Sequence, residues 1–226
     1  MTNDLTNSID RYFQQGLIES LAVENGIPQE TFLQAARTVS LLSVHQIKIR
    51  LENPDTAMGT YRFARVAARS RVRIHLKALY DGETQYQGIA NMTRVIYAGD
   101  LSAITQMVAQ HFAFSTDVSN RLVIMSTSAM LSLLGETLVE KKMKQAAFTQ
   151  HVMEQIPFLE QALTVGAPFP FGYWEAKQHE RENRRFKVEK RRIPRSREKK
   201  SAIKMPVKML AAFVGFVYMK LLLTFR

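Results

Sequence analysis

Apolar residues recur every three to four positions through the first 165 residues of this 226-residue chain. That period is typical of helices that bury one face, and no stretch shows the alternation of apolar and polar residues that predicts a β-strand. Turn and breaker residues fall roughly every 15 to 25 positions, which is the spacing of helices joined by short connections. The sequence therefore predicts an all-α fold, a multi-helix bundle over residues 1–165.

Caps and breakers locate the individual helices. Asp4 is placed to cap a first helix that reaches Leu21, and Gly26 can take the left-handed conformation that follows a helix end. A second helix begins at Pro28 and ends at the breaker Asn53. Further helices are predicted over residues 56–79, 89–96, 101–112, 116–135, 137–153 and 157–163.

Two of the predicted helices share a loose pattern. A shift of 86 residues places apolar positions of the second helix on those of the sixth, for example Phe32 on Val118 and Ile47 on Leu133. Two amphipathic helices of similar length produce such a match by chance about as readily as duplication does. The bundle is therefore interpreted as one domain or as two related helical halves.

The segment Ala113–Glu136 contains a capped start, an apolar helix and an end at small residues and Gly. A second predicted helix follows it, and then the segment Ile156–Leu163. The segment Asn25–Phe32 has a similar start. These segments resemble the YidB-like family of bacterial proteins of unknown function, over roughly residues 10–165. The resemblance implies a helical domain that in some relatives precedes a membrane segment and an OmpA-like module, and it implies no catalytic residue.

Positive charge is concentrated in one block. Residues 1–176 contain 15 Lys and Arg against 16 Asp and Glu, whereas residues 177–208 contain 14 against 4. Directly after this block, Met209–Phe225 is a run of 17 residues in which Lys220 is the one charged side chain. Cytoplasmic flanks of membrane helices are rich in Lys and Arg, and anionic headgroups attract such clusters. This order predicts attachment to a membrane from the cytoplasmic side.

We expect four segments: the helical domain 1–165, a Pro, Gly and aromatic loop 166–176, a basic linker or solvated helix 177–204, and a C-terminal hydrophobic segment 205–226. The last is just long enough to cross a bilayer once as a transmembrane helix. The positive-inside rule then places the helical domain in the cytoplasm, at the bacterial inner membrane if the resemblance holds. The alternatives are a C-terminal helix buried in the protein's own core or in a partner.

The basic segment supplies candidate contacts to phosphate groups of anionic lipid. They are Arg184, Arg185, Lys187, Lys190, Arg191, Arg192, Arg195, Arg197, Lys199, Lys200, Lys204 and Lys208. The same arm, 177–208, could neutralise nucleic-acid phosphates, which is the alternative function. Because Phe186 is the one aromatic residue in the arm, the arm has few side chains that could stack on bases.

Two further groups are candidate partner contacts. Arg62, Arg65 and Arg69 fall on one helical face, where a row of guanidinium groups could bind phosphate, or where a solvated face could pair with acids of neighbouring helices. The second interpretation is favoured because residues 1–176 are nearly neutral. The loop 166–176 carries aromatic side chains that either pack over the bundle or dock a partner. These are Phe169, Phe171, Tyr173 and Trp174.

The sequence lacks a zincin His-Glu-x-x-His motif, a Gly-x-Ser-x-Gly nucleophile elbow, a P-loop and a Gly-x-Gly-x-x-Gly motif. Without Cys it has no thiolate chemistry. His151 with Glu154, and Glu175 with His179, have helical spacing but not the arrangement of a di-iron bundle, so we interpret both pairs as surface contacts. The hydroxyls of 126–128 are expected to bond to the preceding helical turn. We therefore expect no catalysis, cofactor or metal. The leading hypothesis is a membrane-anchored interaction or scaffold protein whose helical domain binds a protein partner.

Overall fold

A computed structural model describes Phe13, residues 15–97 and residues 100–163 of the chain. Its α-helices are α1 (Gln15–Glu24), α2 (Gln29–Glu52), α3 (Pro54–Arg69), α4 (Leu76–Tyr80), α5 (Gln87–Ile96), α6 (Leu101–Phe112), α7 (Thr116–Glu140) and α8 (Gln145–Leu163). Short 3-10 helices, Val72–His75 and Thr84–Tyr86, precede α4 and α5. The described part contains no β-strand, so the all-α prediction is confirmed there. The predicted linker and C-terminal segments lie outside it.

Several helix ends lie at the residues that the sequence marks as caps. Gly26 follows α1 with a φ of 65°, and Gly82 follows α4 with a φ of 75°, both in the left-handed region that glycine adopts without strain. Asn53 accepts a hydrogen bond from a backbone N–H in the first turn of α3. At the start of α7, Ser115 Oγ accepts one from the N–H of Val118 at 3.2 Å. Local chemistry is therefore sufficient to end these helices.

The predicted helix over residues 56–79 is wrong as a continuous element. Helix α3 ends at Arg69, and Arg71 takes a φ of 49°, which turns the chain into the 3-10 helix and then α4. The turn allows Val72 and Leu76 to be buried in the core. The spacing of apolar residues carries no information about a left-handed backbone conformation at an arginine, so the sequence pattern did not reveal the break.

Two predicted breaks near the end of the domain are also wrong. Helix α7 continues through Gly135 to Glu140 instead of ending at the glycine, and Pro157 lies inside α8 instead of starting a new helix. Ile156 and Leu159 are buried on either side of the proline, and this packing holds α8 together across the missing N–H. Tertiary contacts outweigh the local breaker signals at both positions.

Helix α7 is the centre of the bundle, with α2, α3, α5 and α6 packed around it. Every residue from Leu122 to Gly135 is buried. Among the described residues, α7 is the one helix with the length and hydropathy of a membrane span, and 83% of its most apolar window is buried by other parts of the domain. Burial on all sides accounts for its hydropathy, because a helix surrounded by protein has no polar face.

Helices α3 and α7 approach each other closely at Gly135. A Cβ atom added to Gly135 would lie 2.0 Å from the carbonyl oxygen of Ala64, so the glycine allows the two backbones to touch. Three residues away, Ser132 Oγ faces the carbonyl oxygen of Ala67 at 3.5 Å. The chain direction in α3 therefore runs opposite to that in α7. Small residues on both sides make this spacing possible.

We expect Gly135→Ala to lower the free energy of unfolding by about 1–3 kcal/mol, because the new methyl group overpacks against backbone atoms that cannot rotate away. Denaturant unfolding followed by circular dichroism measures the change. The matched control is Gly59→Ala in α3, whose added Cβ would meet nothing within 4 Å. That variant should gain about 0.4–1 kcal/mol from the lower entropy of its unfolded chain. Equal stabilities for the two variants would contradict the close contact.

Candidate anion-binding site

The outward side of α3 carries a row of arginines, here called the α3 basic face: Arg62, Arg65 and Arg69. All three are exposed, and they are spaced at three and four residues along one side of the helix. The opposite side is buried, through Ala57, Thr60, Ala64 and Ala67. The structure therefore brings these predicted site residues together on one surface.

None of these three arginines makes an ion pair with another described residue. Ion pairs do occur elsewhere in the domain: Lys77 binds Glu24 at 2.8 Å, and Arg121 of α7 binds Asp117 at 2.8 Å. Within the described part, nothing neutralises the α3 basic face.

Apolar side chains are exposed beside these cations. On α3 itself, Met58 is 44% exposed and Val66 is 39% exposed. In the turn that follows, Ile74 is 63% exposed and comes directly after the exposed cation Arg73. Apolar side chains surrounded by basic residues are typical of surfaces that lie at a membrane interface.

A pocket of about 580 Å³ opens beside the α3 basic face, and we call it the basic pocket. Two of its cations, Arg65 and Arg69, come from α3, and two, Lys142 and Lys144, come from the turn after α7. Its other lining residues are Tyr61, Leu138, Val139 and Met143. Acidic residues do not line this pocket, and none of the four cations pairs with a described acid.

The turn after α7 fixes the two lysines in place. Lys142 takes a φ of 49°, and the N–H of Met143 donates to the carbonyl of Leu138 at 3.0 Å, as in a Schellman helix end. The hydroxyl of Tyr61 donates to the carbonyl of Met143 at 3.0 Å and ties the turn to α3. Sequence reasoning missed Lys142 and Lys144 because it placed both within a predicted helix over 137–153. Their clustering directly after an apolar helix was the available signal.

A smaller pocket of about 230 Å³ lies where α4, α5 and α7 meet. Its lining carries both charge signs, since it includes Arg94 and Arg121 as well as Asp81 and Asp117. Burial raises the pKa of the adjacent Tyr80 to about 12, although the Arg121 guanidinium partly opposes that rise. Because its charges balance, this pocket has no preference for an anion comparable with that of the basic pocket.

A group of hydroxyls lies at the centre of the bundle. Ser43 Oγ lies 3.0 Å from the Tyr97 hydroxyl and 2.8 Å from Thr127 Oγ1, and the last two are 3.1 Å apart. All three side chains are fully buried. Burial raises the pKa of Tyr97, and its hydrogen bonds with Ser43 and Thr127 partly oppose the rise. Without access from solvent, this network links helices and offers no site to a substrate.

The predicted bonds of residues 126–128 to the preceding turn are confirmed in two of three cases. Thr127 donates to the carbonyl of Val123 at 2.7 Å, and Ser128 donates to that of Ile124 at 2.8 Å. Ser126 is buried as well, and its hydroxyl has no hydrogen-bond partner among the described residues. Two of these three hydroxyls therefore bond within their own helix.

Histidines and acids form no cluster of three that could hold a metal within residues 15–97 and 100–163. Burial lowers the pKa of His151, Lys141 lowers it further, and Glu154 opposes both effects. The second pair considered from the sequence, at 175 and 179, lies outside the described residues. So do the aromatic loop residues 169–174 and the basic-arm contacts between 184 and 208, and their roles stay predictions.

No protein-family model, curated protein or solved structure matches the chain. The resemblance to the YidB-like family therefore stays a prediction. Functional conclusions for this chain follow from the α3 basic face and the basic pocket.

We expect stability to fall as the pH rises above about 10, where unfolded tyrosines ionise. Since burial raises the pKa of Tyr80 and Tyr97, their contribution is full below the unfolded pKa and is lost as the pH rises through the folded values. Urea unfolding on either side of that pH measures the loss. The variant Tyr97→Phe should show a flatter dependence than the parent chain. An unchanged slope would contradict the raised pKa of Tyr97.

Proposed function

We propose that the chain is a membrane-anchored interaction protein, whose helical domain binds a protein partner at the cytoplasmic face of a membrane rich in anionic lipid. One observation carries the proposal: arginines without an acidic partner among the described residues share the surface formed by α3 and the turn after it with exposed apolar side chains. The sequence supports it through the basic block 177–208 and the apolar run 209–225. No catalytic step is part of this function.

Each type of side chain on this surface has a complementary layer in a bilayer. A guanidinium group binds phosphate oxygens through paired N–H donors, and a basic residue near an anionic surface contributes about 1 kcal/mol. Ile74 and Val66 can enter the boundary between headgroups and acyl chains, where apolar area leaves water. Individually weak contacts suffice for a tethered domain, because anchoring keeps the membrane at high effective concentration.

Nucleic acid shares the phosphate chemistry, and proteins that bind single strands add exposed aromatic rings on which the bases stack. The aromatic residues of α3, Tyr61 and Phe63, are half-buried, and the Tyr61 hydroxyl is already bonded to the turn after α7. Exposed aliphatic side chains beside the arginines favour lipid instead. The proposed partner is therefore a membrane surface, and nucleic-acid binding is the alternative outcome of the test.

We expect the full chain to sediment with membranes and to stay there in high salt, because apolar insertion is insensitive to screening whereas headgroup attraction is screened. Deletion of residues 205–226 should release the protein into the salt wash. Fractionation followed by immunoblotting measures both. Complete release of the full chain by salt alone would defeat the anchored arrangement.

The surface formed by α3 and the following turn can be tested on a fragment ending at residue 176, since the described helices belong to one compact unit with its own core. We expect this fragment to bind phosphatidylglycerol vesicles more tightly than neutral phosphatidylcholine vesicles in low salt. The double variant Arg62→Gln and Arg73→Gln should lose about thirtyfold in vesicle affinity, from two contacts of about 1 kcal/mol each. Vesicle cosedimentation measures the affinity.

Two variants sharpen this comparison. Ile74→Ser should weaken binding without changing its salt dependence, since it removes an apolar contact and no charge. Arg94→Gln, an exposed charge on α5, is the matched control and should leave binding unchanged. If the fragment ignores lipid but binds DNA with a steep salt dependence that the double variant reduces, the nucleic-acid function replaces the membrane function.

A further inference from the structure

We propose that the basic pocket between α3 and the turn after α7 binds a phosphomonoester group in its doubly charged form. The group belongs either to a phosphorylated lipid headgroup or to a small soluble phosphate ester. The lipid source rests on the proposed function, whereas the soluble source does not. Binding of this ligand class in one cavity is more specific than the general attraction of the α3 basic face to a negative surface.

The charge of the pocket points to this ligand. Arg65 and Arg69 stand one helical turn apart on one wall, and each can present a planar fork of N–H donors to phosphate oxygens. Lys142 and Lys144 line the pocket from the turn after α7, each with three donors. Four cations that no described acid neutralises repel one another, and a dianion relieves that repulsion more completely than a monoanion.

The backbone places one of these cations at a conformational cost. Lys142 has a φ of 49°, a position after a helix end where Gly or Asn is usual. Glycine would end α7 with less strain, yet the chain has a lysine there that lines the pocket. Strain of this kind is characteristic of functional sites. The backbone conformation of Lys142 is therefore evidence for a site that is independent of the number of cations in the pocket.

The walls of the pocket are held before any ligand arrives. The hydrogen bond from Tyr61 to the Met143 carbonyl and the closed helix end keep the turn against α3. Leu138 is buried and Val139 is half-buried, so part of the lining is apolar and suits the carbon portion of a phosphate ester. At about 580 Å³, the pocket falls in the size range of small-ligand sites.

The test uses the full chain in non-ionic detergent and isothermal titration calorimetry with three probes. Glycerol 3-phosphate is a soluble monoester, dihexanoyl phosphatidic acid is a lipid monoester, and dihexanoyl phosphatidylglycerol is a lipid diester with one charge. We expect one or both monoesters to bind about tenfold more tightly than the diester, since they make more charge-assisted hydrogen bonds. Monoester binding should strengthen as the pH rises through about 6, where the second proton leaves.

Lys142→Gly is the decisive variant, because glycine suits the left-handed backbone and preserves the helix end while it removes the cation. It should lower monoester affinity about tenfold, with a melting temperature equal to or above that of the parent chain. Arg65→Gln should lower the affinity similarly. Arg94→Gln, an exposed charge on α5 outside the pocket lining, is the control with the same loss of charge and should leave monoester affinity unchanged.

The outcomes separate this proposal from the proposed function. Tighter binding of phosphatidic acid than of glycerol 3-phosphate supports the lipid source, and equal or weaker binding supports a soluble ester. If neither monoester binds, if the diester binds equally well, or if Lys142→Gly changes nothing, the pocket proposal is overturned. Vesicle binding that depends on Arg62 and Ile74 would still stand in that case. Monoester binding without vesicle binding would instead support the pocket proposal and contradict the proposed membrane surface.

Discussion

The contact between Gly135 of α7 and the backbone of Ala64 in α3 determines the arrangement of the rest of the domain. Without a side chain at that point, two helix backbones lie against each other, and the alanines of α3 are directed into the core. The arginines of α3 are consequently on the outer side. Because the helices are antiparallel, the contact also brings the end of α7 beside Tyr61 and forms both walls of the basic pocket.

Buried hydroxyl groups form directional contacts in a core that is mainly apolar. Ser43 and Thr127 donate to carbonyls of their own helices at 2.7 Å and also meet each other and Tyr97. Three hydroxyl protons therefore serve five short contacts, so they are shared or alternate between acceptors. A buried polar group is costly without a partner, and rotation of α2 against α7 would remove those partners. The network thus specifies how the helices face each other, which apolar packing alone specifies less sharply.

Charge is distributed unevenly over a domain whose sequence is nearly neutral. Lys77 and Arg121 have acidic partners, whereas Arg65, Lys142 and Lys144 have none among the described residues. The negative end of the α7 dipole offsets part of the repulsion among the lysines that follow it. The remaining positive potential is concentrated along α3 and in the adjoining pocket, where it can attract phosphate groups at short range.

Local interactions made the all-α class and several helix ends predictable from the sequence alone. The period of apolar residues, Gly26 and the cap at Ser115 act within one or two helical turns, and nearby residues contain all the information they need. Only the tertiary structure decided that α3 breaks at Arg71, that α7 passes through Gly135 and that Lys142 lines a pocket. Those features depend on contacts between helices distant in sequence, where close packing outweighs local propensity. The row of arginines was visible in the sequence, but the absence of described acidic partners and the pocket beside it follow from the packing of α3 against α7.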